Sequence, residues 1–280
     1  MKGSRELLEN VRIVLVSPTH PGNIGATARA MRTMGIRDLR LVRPRRFPCA
    51  EATERAAGAF DVLDRARVVG DLTEALADCR WAVAATARPR RLEWERLDPE
   101  KAGRELVARA ATGAVAAVFG RESAGLTNEE IDRCQAVLRI PTDPEFRSLN
   151  IAAAVQITAY EIARAAARAD PAGVGRGDAS SSRRDAGDRA AGGDGDGPEA
   201  NADRAGEVTA AELEGLHAHF ESALVDIGYL DPERPRLLMR RVRRLVARAD
   251  IDRAELNILR GILGAAQRAA SPGGGRNHDD

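Results

Sequence analysis

The chain has 280 residues, 44% of them hydrophobic and 30% charged, with a formal net charge of +1. That length holds one large domain or two modest ones, each able to bury a core, and the composition is that of a globular protein. No apolar run approaches the roughly 18 residues of a membrane-spanning helix, and so small a net charge selects no class of partner by itself.

The opening MKGSRELLEN lacks the apolar core of a signal peptide, so a cytoplasmic location is expected. Residues 11–16, VRIVLV, read as a buried strand, followed by a helix from about Asn23 to Met34 with Asn23 as its N-cap. LRLV (39–42) is a second strand, and a helical or loop stretch covers 50–78. WAVAATA (81–87) follows as a strand, then a helix over 100–111 and the strand AVAAVFG (114–120). TNEEIDRC is a short helix in which Thr127 and Glu130 have capping-box spacing. AVLRIP (136–141) is a further strand, and a long alanine-rich helix runs from about Asn150 to Arg168. Such alternation predicts an α/β fold, a mostly parallel sheet with helices on both faces.

From Asp170 to Gly206 almost every large apolar side chain disappears. Such a segment cannot offset the entropy of ordering its backbone, so three regions are expected: a main domain over 1–169, a flexible linker over 170–206 and a small helical module over 207–280. In the module, RPRLLMRRVRRLVARAD (234–250) puts Arg236, Arg240, Arg243, Arg244 and Arg248 in one arc and Leu238, Val242 and Leu245 opposite. The cationic arc suits a phosphate backbone or is a solvated face.

Cys49, Cys79 and Cys134 form no CxxC pair and the four histidines no HExxH, so neither a disulfide framework nor a metal site is expected. Of the 43 basic residues only Lys2 and Lys101 are lysine. Arginine forks suit phosphates and bases, although a GC-rich genome would enrich arginine too. Placement says more. RPRR occurs at 43–46 and again at 88–91, each after a strand. In a parallel sheet both loops join the one after VRIVLV on the rim where ligands bind, and converging arginines there point to a polyanion, most simply a nucleic acid.

The first of these loops, in THPGNIGATARAMRTMG (19–35), has neither GxxxxGK[ST] nor GxGxxG, so it is not a nucleotide cradle, and a nicotinamide-dependent dehydrogenase is excluded with it. Gly25, Arg29 and Arg32 fall on one helix face. The open glycine lets Arg29 lie across that turn, or a ligand approach the backbone; the plain alternative is a solvated arginine.

Three blocks stand together: NIGATARAMRTMG (23–35), VFGRESAGLTNEEI (118–131) and IPTDPEFRSLNIAAAVQITAYEI (140–162). They resemble the three motifs of the SpoU branch of the SPOUT methyltransferases, knotted α/β enzymes that methylate the ribose 2′-oxygen of RNA. The likeness runs through 11–168 and resumes at ELNILRGIL (255–263), which is similar to the end of the TrmJ-type tRNA methyltransferases, a family acting at anticodon-loop position 32. The resemblance implies a dimeric trefoil knot, S-adenosylmethionine as cofactor and no metal. Carried over, the cofactor loops match Ala85, Thr86, Ala87, Gly120, Glu122, Ile140, Arg147, Ser148 and Leu149. Gly120 would let an adenosine approach the backbone, and Ile140 and Leu149 would sandwich its base. Glu122, beside Arg121, would hold its loop by an ion pair or act directly. For the reaction the pattern points to Arg29, supported by Asn23, with Ser148 and Asn150. Since a guanidinium stays protonated in proteins, Arg29 is expected to clamp the target phosphate and stabilise the developing alkoxide, the proton leaving through the phosphate, a water or Ser148. RNA would meet the rim at the RPRR loops and Arg32, and the basic helix would grip the tRNA or complete the dimer. Two alternatives remain: a ribose methyltransferase of rRNA or another tRNA site, and a non-catalytic RNA-binding protein on the same fold.

Overall fold

A computed structural model describes residues 3–88, 94–170 and 208–271. The second RPRR tetrad, apart from Arg88, and nearly all of the expected linker lie outside the described residues.

Seven strands form one sheet: β1 (Val11–Val16), β2 (Asp38–Val42), β3 (Arg67–Val69), β4 (Cys79–Ala85), β5 (Arg96–Leu97), β6 (Ala114–Phe119) and β7 (Ala136–Leu138). Their order is β3-β2-β1-β6-β4-β7-β5, and every neighbouring pair is parallel. β1 is buried along its whole length, as its apolar run requires: Ile13 and Leu15 face one core, Val14 and Val16 the other. Its one charged residue, Arg12, is buried with them. Four acceptors hold it: Asp78 at 2.6 Å, Asp38 at 2.8 Å, the Ala75 carbonyl at 2.7 Å and the Cys79 sulfur at 3.3 Å.

One face of the sheet is covered by α1 (Ser4–Glu9), α2 (Pro21–Thr33), α3 (Ala50–Ala56), α4 (Phe60–Asp64), α6 (Pro99–Ala110) and α8 (Ile151–Ala169). The other is covered by α5 (Leu72–Leu76), α7 (Asn128–Ile131) and, through Ala210 and Ala247, by the C-terminal module. Among the described residues no helix is long and apolar enough to cross a membrane, and no group of His, Cys, Asp and Glu could hold a metal ion.

The module consists of α9 (Ala210–Asp226), α10 (Leu238–Ala249) and α11 (Arg253–Ala270) around Leu216, Val246, Leu256 and Leu263. It docks on the main domain through Arg240, whose Nη2 donates to Asp132 at 3.0 Å, and through Arg109, which pairs with Asp250 at 3.0 Å. Here the expected faces of α10 are corrected. Arg236 precedes the helix, Arg240 points inward to Asp132, and Arg243 is held by Glu214 at 2.6 Å. Leu245, expected on the apolar side, is 67% exposed, and Val246 is buried in its place. Buried or half-buried carboxylates on the neighbouring elements draw these two arginines inward, because such charges need partners.

Local caps follow the sequence closely. Thr127 and Glu130 make the expected reciprocal box, and Asn150 caps α8 by accepting from the Ala152 N–H at 2.9 Å. Asn23 does not cap α2. The helix opens at Pro21, with His20 extended before it, because proline's missing N–H costs nothing at a first helical position.

Gly25 is likewise not open. A Cβ there would lie 2.1 Å from the Ala52 carbonyl oxygen and 2.9 Å from the Ala56 nitrogen. The glycine lets α2 and α3 touch backbone to backbone, and neither Arg29 nor a ligand occupies that space.

Candidate active site

The carboxyl ends of β4, β6 and β7 open into a cavity of about 410 Å³. Its walls come from the segments after each strand: 85–88 after β4, 120–125 after β6, and 140–149 after β7, closed by Ile151 and Ala154 of α8. All nine residues expected to hold a cofactor line it: Ala85, Thr86, Ala87, Gly120, Glu122, Ile140, Arg147, Ser148 and Leu149. Leu138 and Phe119 add apolar surface. The volume lies in the range of small-molecule sites, and apolar walls with a few polar groups are their usual character.

Gly120 serves the chain itself. A Cβ on it would sit 2.2 Å from the carbonyl carbon of Gly125, so the glycine lets β6 end against the 121–125 turn. That turn is closed by reciprocal backbone hydrogen bonds between Arg121 and Gly125, with Gly125 in the left-handed region at φ 67°.

Glu122 does not pair with its neighbour Arg121. The arginine turns to Glu130, donating to both carboxylate oxygens at 2.9 and 3.0 Å. This pair ties the turn to the capping box of α7. Glu122 reaches back about a hundred residues to the first loop. It accepts from the Thr19 N–H at 3.0 Å, the Thr19 hydroxyl at 2.8 Å, the His20 N–H at 3.2 Å and Asn23 Nδ2 at 3.0 Å. Burial alone would raise its pKa. The hydrogen bonds from Asn23, its own backbone and Thr19 outweigh burial and bring it down to about 2.

Asn23 passes the constraint on, because its Oδ1 accepts from Asn150 Nδ2 at 2.9 Å. Glu122, Asn23 and Asn150 are thus one hydrogen-bonded row joining all three sequence blocks. Thr19 and His20 belong to it too and were missed by sequence reasoning, since the bonding atoms are mostly backbone and carry no residue signature.

Ser148 is exposed and lines the cavity wall. Arg29 stands apart. It is exposed on α2, outside the cavity lining, and its side chain makes no hydrogen bond or ion pair among the described residues. Eight residues into the helix, it sits about 12 Å from the rim along the axis.

Arg32 lies farther still, in the last turn, and pairs with Asp61 at 3.1 Å. It is therefore not part of the rim: a helix that begins at the strands' carboxyl ends runs away from them. The first RPRR loop does belong there. The Arg45 N–H donates to the Pro18 carbonyl at 3.1 Å, and Arg43, Arg45 and Arg46 are exposed beside the first loop.

The model of the SpoU rRNA methylase family matches residues 10–160, which hold every residue of this site. The chain belongs to the SpoU methylase family. Residues 211–275 match the model of the C-terminal domain of the tRNA methyltransferase TrmJ. A relative from Pseudomonas aeruginosa, named tRNA (cytidine/uridine/adenosine-2'-O-)-methyltransferase TrmJ, is 47% identical over 94% of this chain and 96% of its own. Among solved structures, TrmJ from Z. mobilis ZM4 superposes with a TM-score of 0.71 at 32% identity, covering 91% of this chain and 97% of that one. A probable methyltransferase from Bordetella pertussis Tohama I, 40% identical with a TM-score of 0.55, spans 58% of this chain but 99% of its own.

Proposed function

We propose that this SpoU methylase is a tRNA 2′-O-ribose methyltransferase using S-adenosylmethionine, acting at anticodon-loop position 32. The observation that carries the reading is the gathering of the three loops around one cavity, with the Glu122–Asn23–Asn150 row at its edge. A tRNA substrate is favoured over rRNA by the TrmJ-type C-terminal match and by the name of the Pseudomonas relative.

The cavity fits the cofactor in size and character. Ile140 and Leu149 offer apolar contacts for an adenine, Thr86 and Ser148 polar ones, and the 85–87 and 120–125 segments backbone groups. S-adenosylmethionine, when bound, supplies a methyl group made electrophilic by its sulfonium. The protein's task is then alignment: holding the ribose 2′-oxygen in line with that methyl supplies much of the acceleration.

In this reading Arg29, whose side chain has no partner among the described residues, holds the phosphate of the target nucleotide and offsets charge developing on the 2′-oxygen. Ser148 lies on the path by which the hydroxyl proton reaches solvent. Asn23 and Asn150 fix the loop that presents Ser148. The reading includes a homodimer, the family's trefoil threading, a cytoplasmic location and a division into a methyltransferase domain over 1–169, a linker over 170–206 and a helical extension over 207–280. Separate family matches over residues 10–160 and 211–275 support that division.

The test is incubation of the purified protein with total RNA and labelled S-adenosylmethionine, followed by digestion and mass spectrometry. One 2′-O-methyl in the tRNA anticodon loop is expected. Absence of label despite cofactor binding refutes the enzyme, and label elsewhere refutes the position. Arg29→Ala should lower turnover by about a hundredfold or more with cofactor affinity unchanged; lost cofactor affinity would refute the role given to Arg29.

A further inference from the structure

Phe146 is 78% exposed, the largest exposure among the described large hydrophobic side chains that stand out from the surface. Leaving a phenyl ring in water forgoes the stabilisation of burying it, in a chain with only five phenylalanines. The ring is held out there by a built loop. Asp143 Oδ1 accepts from the backbone N–H of Glu145 at 2.7 Å and of Phe146 at 3.2 Å, and Arg147 Nε donates to the Pro144 carbonyl at 2.8 Å. Two residues on is Ser148, in the cavity wall, and four on is Asn150, bonded to Asn23.

We infer that Phe146 is the stacking platform for the base of the nucleotide whose ribose is methylated; the inference rests on the RNA-methylating function proposed above. A ribose brought to Ser148 carries its base into the space around the next side chains of that loop. A base that has left its stack is held most simply by an aromatic face. The exposed Arg43, Arg45 and Arg46 supply attraction for the phosphates on the same rim. The loop's acidic residues, Asp143 and Glu145, do not, and its Arg147 is turned back onto the Pro144 carbonyl, so the ring's contribution is stacking. A phenyl face accepts pyrimidine and purine alike, because every base has a π-face. Phe146 would therefore position the nucleotide without reading its identity.

Four full-length proteins decide it: wild type, Phe146→Ala, Phe146→Leu and Phe146→Trp. The substrate is a tRNA carrying pyrrolo-cytidine at the methylated position. Phe146→Ala and Phe146→Leu should each raise the KM for tRNA about tenfold, the size of one base–aromatic stack. Phe146→Trp should retain wild-type KM, with S-adenosylmethionine affinity unchanged throughout. Stacking quenches the probe, so quenching on binding should occur with wild type and the tryptophan variant and vanish with the other two. Wild-type behaviour of Phe146→Leu would overturn the inference, as bulk and not aromaticity would then suffice. So would a change of oligomeric mass in Phe146→Ala with tRNA affinity intact, since the ring would then belong to a protein interface. If wild type methylates no RNA, the proposed function fails; if it does and the variants match it, only the role of Phe146 fails.

Discussion

Replacing Glu122 by glutamine tests the link between the first loop and the cavity. The carboxylate receives four donors, two from Thr19 and one each from His20 and Asn23. Glutamine offers one acceptor oxygen and turns an NH₂ toward the remaining donors, so at least two bonds are lost or opposed. Hydrogen bonds to a charged group contribute about 1.5–3 kcal/mol each, and water reaching this half-buried site recovers part of that, leaving a net loss of about 2–4 kcal/mol. For a domain of this size, that lowers the melting temperature by about 5–15 °C. The pH dependence carries a sign. The folded pKa, about 2, lies below the ordinary carboxyl value, so the stabilisation is complete above the unfolded pKa and is lost as pH falls from there through about 2. The gap between wild type and Glu122→Gln should be full at neutral pH and should narrow below about pH 4.5. Thermal melts followed by circular dichroism at neutral and acid pH measure this, and methyl transfer should fall alongside because Asn23 and Asn150 lose their anchor. A variant melting within about one degree of wild type, or a gap that acid leaves unchanged, would refute the assignment.

Gly25→Ala forces α2 and α3 apart, since the added carbon lies 2.1 Å from the Ala52 oxygen. The expected cost is about 1–3 kcal/mol, read as an earlier urea midpoint with an unchanged slope. In the C-terminal module, His217 is buried beside Arg243, and these two causes hold its pKa down to about 4 against the opposing pull of Glu214. It is neutral in the fold while the unfolded chain takes up a proton below about pH 6.5. Stability is therefore present above that pH and lost as pH falls from 6.5 to 4. Hydrogen exchange over α9 should show protection falling by about 2 kcal/mol between pH 7 and 5 in wild type and far less in His217→Gln.

The elements legible in the sequence are those whose signal is local. VRIVLV declared a doubly buried strand by its unbroken apolar run, and Asn150 and Thr127 declared helix starts by their side-chain chemistry. β3 and β5 were not legible, because three and two residues are too few to show any period. The three blocks of the site could be read by resemblance, and the structure gathers the expected loop residues around one cavity. Partner choice could not be read. Glu122 stands next to Arg121 in the chain yet bonds to a loop a hundred residues away, while Arg121 takes Glu130. Gly25 looked like open space beneath an arginine and is filled by the backbone of α3. The arc of arginines on α10 was visible, but its inward side was set by Asp132 and Glu214 on other elements. Propensity, capping and hydrophobic period act within a few residues and are written in the chain itself. Which charge meets which, and which glycine is a contact, depends on surfaces that exist only once distant segments have packed.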